Sequence, residues 1–367
     1  MRFEFDDVQS ELRQVVGAFL DGLAPLESLL QNKPSTADRD WRDAAELGLL
    51  GVNAPEEKGG LQGGPVTLVG LLEVMGQKGW SGPYLSTVAI GLDALSLAQE
   101  DRWIEAIVAG ELQASLGFLE SSGRPELESL DCKVQGGELF GSKAFVLHGE
   151  TAGLFLVVAR EEAGTLGLFA LEAGAPGLKV SSAPTMDPGR PLAQLHLEAT
   201  PCHRLGGAEH VKALLNRASL YAAAESLGGA QATLDMAVEY AKDRQQFGRP
   251  IGSFQAIQHH CAEMLLRVES ARSAVYAAAW TAEHRPDDLA MMTAMAQATA
   301  SEAFFFCAGT CIQVLGGIGI TWEHPAHLYF KRAQGSRLLW GDPSFQRSRF
   351  VAHGGLERPL VESGSWT

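Results

Sequence analysis

The sequence predicts an α+β fold: a helical N-terminal domain, a central β domain and a C-terminal helical bundle. Three observations carry this reading. Apolar residues recur at three- and four-residue steps up to about residue 112. Across 113–207 that period gives way to short apolar runs between Gly and Pro turn signals. From 208 onward helical spacing returns in longer, alanine-rich units. The expected domains are 1–112, 113–207 and 208–356, with 357–367 as a tail. A chain of 367 residues that is 46% hydrophobic can bury more than one core.

In the first zone Val8, Leu12, Val15, Val16, Phe19 and Leu20 form one helical stripe, and Asp6 or Asp7 can cap its start. Residues 41–50 and 66–75 carry similar stripes. Gly59-Gly60 and Gly63-Gly64-Pro65 interrupt them as a loop. In the second zone 144–147, 154–159, 166–171 and 192–197 fit strands, with Gly136-Gly137, Gly174 and Pro188-Gly189 as turns. In the third, Leu220, Leu227, Leu234, Val238 and Ala241 share a face of a helix expected to stop near Gly248 and Pro250. Further helices are expected over 254–283 and 287–315, where abundant alanine permits close helix packing.

A net charge of −15 argues against nucleic acid or an anionic membrane as the main partner, while leaving room for a local basic pocket. The five cysteines, Cys132, Cys202, Cys261, Cys307 and Cys311, form no CxxC pair. Cys307 and Cys311 are one helical turn apart with no His between them. The expectation is buried reduced thiols, no metal site and a cytoplasmic protein. The first residues lack the apolar core of a secretory signal, and no apolar run is read as reaching the ~18 residues of a membrane span.

Three segments carry a resemblance. Ala45-Glu46-Leu47-Gly48-Leu49-Leu50-Gly51, followed by Pro55-Glu56-Glu57-Lys58-Gly59-Gly60, resembles the N-terminal helical domain of acyl-CoA dehydrogenases. Asp243-Arg244-Gln245-Gln246-Phe247-Gly248-Arg249-Pro250-Ile251, with Phe254-Gln255 after it, resembles that family's R-x-x-F-G…Q segment. Gln313-Val314-Leu315-Gly316-Gly317-Ile318-Gly319-Ile320 resembles its Q-x-x-G-G-x-G-Y segment. The likeness runs over about residues 3–355 and implies a C-terminal bundle of the four-helix type.

It also implies FAD, shared at a subunit interface. The residues are chemically suited to the dinucleotide half of that cofactor. Arg244, at a helix end, can reach a phosphate oxygen. Gly316 and Gly317 lack Cβ atoms, so their N–H groups can approach a pyrophosphate. Phe247 offers a flat face to adenine, and Gln255 and Gln313 offer amides. Each has a plainer reading: a helix-end charge for Arg244, a C-cap for the glycines, a core position for Phe247.

Members of the family desaturate acyl-CoA thioesters; a carboxylate takes the α-proton while the flavin accepts a hydride. The resemblance places that Glu in an I-Y-E-G-T segment near the C-terminus. Here the stretch reads Leu338-Leu339-Trp340-Gly341-Asp342-Pro343, so Trp340 holds the Glu position. The alternative family position, before an Arg on the first long C-terminal helix, is Asn216. Neither side chain is a general base. The T-E-P-x-x-G-S-D segment reads Leu119-Glu120-Ser121-Ser122-Gly123-Arg124-Pro125-Glu126, and K-x-W-I-T reads Lys143-Ala144-Phe145-Val146-Leu147. Leu119, Pro125 and Leu147 thus replace hydroxyl residues. No catalytic residue is assigned.

All four losses fall on the half-site this chain would build for its own flavin, whereas the residues it would lend to a neighbour are kept. The resemblance then implies a non-catalytic subunit of a heterotetramer. Its partner would be a homologous subunit bearing the Glu, its substrate an acyl-CoA such as a steroid side-chain ester, and its electron acceptor an electron-transferring flavoprotein. Two alternatives stay open. One is a homomeric flavoenzyme with a relocated base such as Asp342, which also reads as a turn residue before Pro343. The other is a flavin-free structural or acyl-CoA-binding protein on the same fold.

Overall fold

Helix α1 (Asp7–Leu23) begins where the Asp6 carboxylate accepts the Gln9 N–H and the Gln9 side chain answers the Asp6 N–H. This computed structural model describes residues 5–31 and 38–354; the expected tail at 357–367 lies outside them. Helices α2 (Pro25–Leu30), α3 (Asp38–Glu46), α4 (Gly64–Lys78), α5 (Leu92–Ala98) and α6 (Ile104–Val108) follow, with a π-helical stretch Leu85–Gly91 before α5. The strands are β1 (Ala114–Gly117), β2 (Lys133–Gln135), β3 (Glu138–Leu147), β4 (Leu154–Arg160), β5 (Leu166–Glu172), β6 (Leu178–Ala183), β7 (Leu192–Pro201) and β8 (His203–Gly207). Then come α7 (Ala208–Asp243), a hairpin of β9 (Gln245–Gln246) and β10 (Arg249–Pro250), α8 (Gln255–His284), α9 (Leu289–Leu315), α10 (Ala326–Leu339) and α11 (Pro343–Ala352).

Helices, strands and helices therefore follow one another as expected. Packing divides the chain into two compact units that do not follow chain order. Among the described residues, one comprises those within Met1–Pro34, Pro65–Trp80 and Ser219–Thr367, the other those within Ser35–Gly64 and Ser81–Ala218.

The second unit holds the sheet, in the order β6-β7-β3-β2-β4-β5-β8, with β1 parallel to β4 at its side. Four of its strands carry no clear sequence signal. β6 is exposed along nearly its whole length, and β1, β2 and β8 are five residues or shorter. The strands read from sequence are the ones whose apolar side chains fill the core, among them Val146, Phe155, Val157, Phe169 and Leu195.

The first unit is helical. α4 and α7 cross so closely that a Cβ on Gly76 would lie 2.1 Å from the Glu225 carbonyl oxygen. One on Gly228 would lie 1.9 Å from that of Glu73. Beside this crossing the buried Glu73 carboxylate accepts from Arg13 of α1 at 2.9 Å and from Arg272 and Tyr276 of α8. α9 packs against α8, α10 and α11. The reading that no apolar run reaches membrane-spanning length is corrected here: Pro286–Ile320 is apolar and long enough by composition. Its helix buries Met291, Ala294, Phe304, Cys307 and Leu315 within the unit, which explains the apolarity.

Candidate functional site

α7 stops at Asp243, earlier than the expected stop near Gly248, because the next residues turn back as the β9–β10 hairpin. Arg249 pairs with Gln246, so Phe247 and Gly248 form a two-residue turn. Both have positive φ, +54° and +76°, as such a hairpin requires. For Gly248 that costs nothing; for Phe247 it is strained. The strain holds an aromatic ring outward: Phe247 is 91% exposed. Its only ring neighbour among the described residues is Phe254, edge-on at 6.1 Å. Phe254 in turn carries the Arg249 guanidinium 4.2 Å above its ring. Sequence reasoning passed over this stack. Its signal was the pair of aromatic residues seven apart with a cation between them.

Arg244 follows the last helical residue. Its N–H bonds to the Tyr240 carbonyl and its own carbonyl accepts the Ile251 N–H, both at 2.8 Å, which closes the hairpin base. Its side chain is exposed and forms no ion pair among the described residues. Gln255 opens α8 immediately after and is also exposed.

Gln313, Gly316 and Gly317 stand at the other element of the site, the end of α9. α8 and α9 run antiparallel. Arg267 lies over the Phe306 ring, and the Cys307 thiol meets the Met264 carbonyl at 3.8 Å. Continued in the same register, this pairing brings the first turn of α8, with Gln255, alongside the end of α9. The chain leaves α9 through Gly316 at φ +68° into a short 3-10 turn, Gly316–Ile320. A Cβ on Gly316 or Gly317 would meet nothing within 4 Å, so the turn faces open space. Arg244, Phe247 and Gln255 thus lie at or just before the start of α8, and Gln313 and the two glycines at the end of α9, which the antiparallel register puts at the same end of the helical unit. There they present a free guanidinium, a bare aromatic face, amides and unobstructed backbone. These groups fit the adenosine and pyrophosphate of a dinucleotide.

The positions read as lost are occupied by other chemistry. Trp340 ends α10 and is buried, at 6% exposure. Asp342 caps α11: its carboxylate accepts the Phe345 N–H at 2.8 Å. Asn216 lies half-buried on α7, beside Arg217, whose guanidinium is 3.3 Å from Asp93.

In the sheet unit Leu119 and Leu147 are both buried, and the Leu119 carbonyl accepts the Ala144 N–H at 2.9 Å. The loop bearing Pro125 is tied at both ends. Glu120 accepts from the Asp131 and Cys132 N–H groups and from the buried Lys143 ammonium, at 2.9, 2.9 and 2.8 Å. Arg160 donates to the carbonyls of Leu127 and Glu128, both at 3.1 Å. Burial pushes the Glu120 carboxyl upward, but Lys143 and the two N–H groups outweigh it and hold it below the usual range. Glu120 and Lys143 are the members of the two altered motifs that remain, and they are the ones that brace the loop. The five cysteines are free. Burial pushes Cys307 and Cys311 up to about 12, far from a thiolate at neutral pH. Among the described residues no group of His, Cys, Asp and Glu is placed to hold a metal ion.

Comparison with known proteins adds four findings. Residues 6–111 match the acyl-CoA dehydrogenase N-terminal domain and residues 206–354 the acyl-CoA dehydrogenase C-terminal domain. The acyl-CoA dehydrogenase IpdE2 of Mycolicibacterium smegmatis is 33% identical over 346 residues, covering 93% of this chain and 97% of that protein. A chain of the ChsE4-ChsE5 complex from Mycobacterium tuberculosis superposes with a TM-score of 0.88 at 28% identity, covering 98% of this chain and 100% of that one. A chain of a variant of the Tcur3481-Tcur3483 steroid ACAD superposes with a TM-score of 0.87 at 28% identity, covering 95% and 98%.

Proposed function

This chain belongs to the acyl-CoA dehydrogenase family, whose members are FAD flavoproteins, and from that premise we propose that it is the non-catalytic subunit of a heteromeric acyl-CoA dehydrogenase. The observation that carries the reading is the exposed hairpin. A chain that strains its backbone to hold a bare Phe247 outward beside an unpaired Arg244 is built to complete something outside itself. Arg244 would pair with a phosphate oxygen, Phe247 would cover the adenine, and Gly316 and Gly317 would offer N–H groups to the pyrophosphate. Gln255 and Gln313 would add amide hydrogen bonds. Bound FAD supplies the hydride acceptor for acyl-CoA desaturation.

A homologous partner subunit would bring the Glu that this chain lacks, in a heterotetramer with the FAD at the interface. Trp340 occupies the Glu position as packed apolar bulk, and the Asp342 carboxylate is engaged in capping a helix. The relatives support the heteromeric reading, since two of the similar structures are named as two-chain assemblies and one as a steroid enzyme. The proposed substrate is accordingly a steroid side-chain CoA thioester, the electron acceptor an electron-transferring flavoprotein, and the location the cytoplasm.

The test is co-expression with a homologous chain that carries the Glu, measuring FAD per tetramer. The complex should bind FAD and the chain alone should not. Arg244→Ala in this chain should weaken FAD binding by roughly 1.5–3 kcal/mol, the range for a hydrogen bond to a charged group, and leave the fold intact. A chain that purifies alone with stoichiometric flavin, bleached anaerobically by an acyl-CoA, would overturn the proposal.

A further inference from the structure

Immediately after the glycine turn lies a cluster that the proposed function does not use. Trp322 is 52% exposed, and its indole is held from two directions. The Lys331 ammonium sits 4.7 Å from the ring centroid, one turn into α10. The His327 imidazole packs edge to face at 4.7 Å and 71°. His327 is itself buried, at 5% exposure, and its Nε2 makes no hydrogen bond. The segment between is short and internally bonded. The Thr321 hydroxyl donates to the Ile318 carbonyl at 2.9 Å, and the Ala326 N–H donates to His324 Nδ1 at 3.2 Å. Trp322 thus joins the turn Gly316–Ile320 to the start of α10, and His327 is the buried side of that joint.

We propose that neutral His327 is a positioning residue, propping Trp322 and through it the 316–322 turn, and that its protonation in mild acid releases the turn. Three features make the charged form unwelcome. An imidazolium would be buried without a hydrogen-bond partner at Nε2. The charged and titratable groups that bear on it are Lys331 and His324, both of which disfavour a further positive charge. The one carboxylate in the turn, Glu323, is exposed and forms no ion pair among the described residues. An imidazolium could in principle gain from the indole face, but Lys331 already occupies that ring. Burial, first, and then these neighbours hold His327 below the ordinary histidine value. The prop is therefore complete at neutral pH and is lost only as pH falls through a value below the ordinary histidine range. The same turn carries Gly316 and Gly317. The effect on flavin rests on the function proposed above, while the prop does not.

The experiment is a fluorescence titration of the full chain from about pH 7.5 to about pH 5, with Trp322→Phe subtracted to isolate the indole of interest. A single transition with a midpoint below the ordinary histidine value is expected. It should vanish in His327→Gln, which keeps a neutral amide of similar bulk, and move to higher pH in Lys331→Met, which removes a repelling charge. A flat titration, a transition that survives His327→Gln, or an unmoved midpoint in Lys331→Met each overturns the proposal. A second arm titrates FAD into the partnered complex. Its Kd should rise by up to about tenfold per pH unit below the midpoint, the limit for one linked proton, and stay flat in His327→Gln. If the indole responds as expected but FAD affinity is flat, the prop stands and the assignment of the turn to the flavin falls.

Discussion

Phe247→Asn separates what the hairpin costs this chain from what the proposed function asks of it. Phe247 and Gly248 both sit at positive φ in a two-residue turn, where Asn-Gly is the preferred pair. An L side chain of this kind in the left-handed region costs roughly 1–2 kcal/mol, and Asn recovers part of that. Against this stands the loss of the edge contact with Phe254, at 6.1 Å. An aromatic pair contributes about 0.5–1.5 kcal/mol beyond its burial. Because Phe247 is 91% exposed, the lower end applies and little apolar area is forfeited. The two terms nearly cancel, so the isolated chain should change by less than about 1 kcal/mol, in the stabilising direction if in either.

The FAD complex should behave differently. Stacking of a base on an aromatic side chain contributes about 1–3 kcal/mol, so the Kd for FAD should rise by about 5- to 150-fold. Thermal unfolding of the chain reads the first quantity, and FAD titration of the partnered complex the second. A loss of more than about 2 kcal/mol in the chain alone, beyond either term above, would make Phe247 an ordinary structural residue. An unchanged Kd would remove adenine from its face.

Glu73→Ala should lower stability by about 3 kcal/mol, the low end for breaking a buried ion pair, because Arg13 and Arg272 are about a quarter exposed and can be rehydrated. Calorimetry should show the melting temperature falling by roughly 4 °C, given an unfolding entropy of about 2.1 cal/mol/K per residue over 367 residues, and a shift within noise would refute the network's role. Glu120→Gln should weaken the chain at neutral pH and flatten its acid denaturation. A carboxyl held below its usual range stabilises above the unfolded value and loses that contribution as pH falls through the folded one; identical acid profiles for the two proteins would count against it. Trp340→Glu should give no acyl-CoA dehydrogenase activity in the chain alone and should lower its melting temperature, since it replaces buried indole by an unpaired carboxylate; any turnover above background would contradict this.

The order of helices, strands and helices was legible because each type writes its own period. α1, α4, α8 and α9 bury one or more apolar faces, and β4, β5 and β7 are apolar runs bounded by turns. β6 was not legible because its side chains face solvent and so carry no burial pattern. α7 was read as too long because Gly248 and Pro250 are the first strong breakers after its stripe; what ends it earlier is the pairing of Gln246 with Arg249. The motif residues Arg244, Phe247, Gln255, Gln313, Gly316 and Gly317 were named from sequence, as were Trp340 and Asn216 at the Glu positions.

By itself the sequence determined local matters: which segments could be helix or strand and which motifs were present. These depend on residue type and spacing along the chain. The tertiary structure decided which residues meet. The antiparallel register of α8 and α9 set Gln255 beside the end that carries Gln313 and the glycines. Packing buried the single carboxylate of α4, Glu73, among residues 60 and 199 positions away. It also left Phe247 bare, although Phe is a residue type that usually goes inside. Burial is a property of the whole assembly of elements, so no local pattern could distinguish an aromatic ring held outward from one in the core.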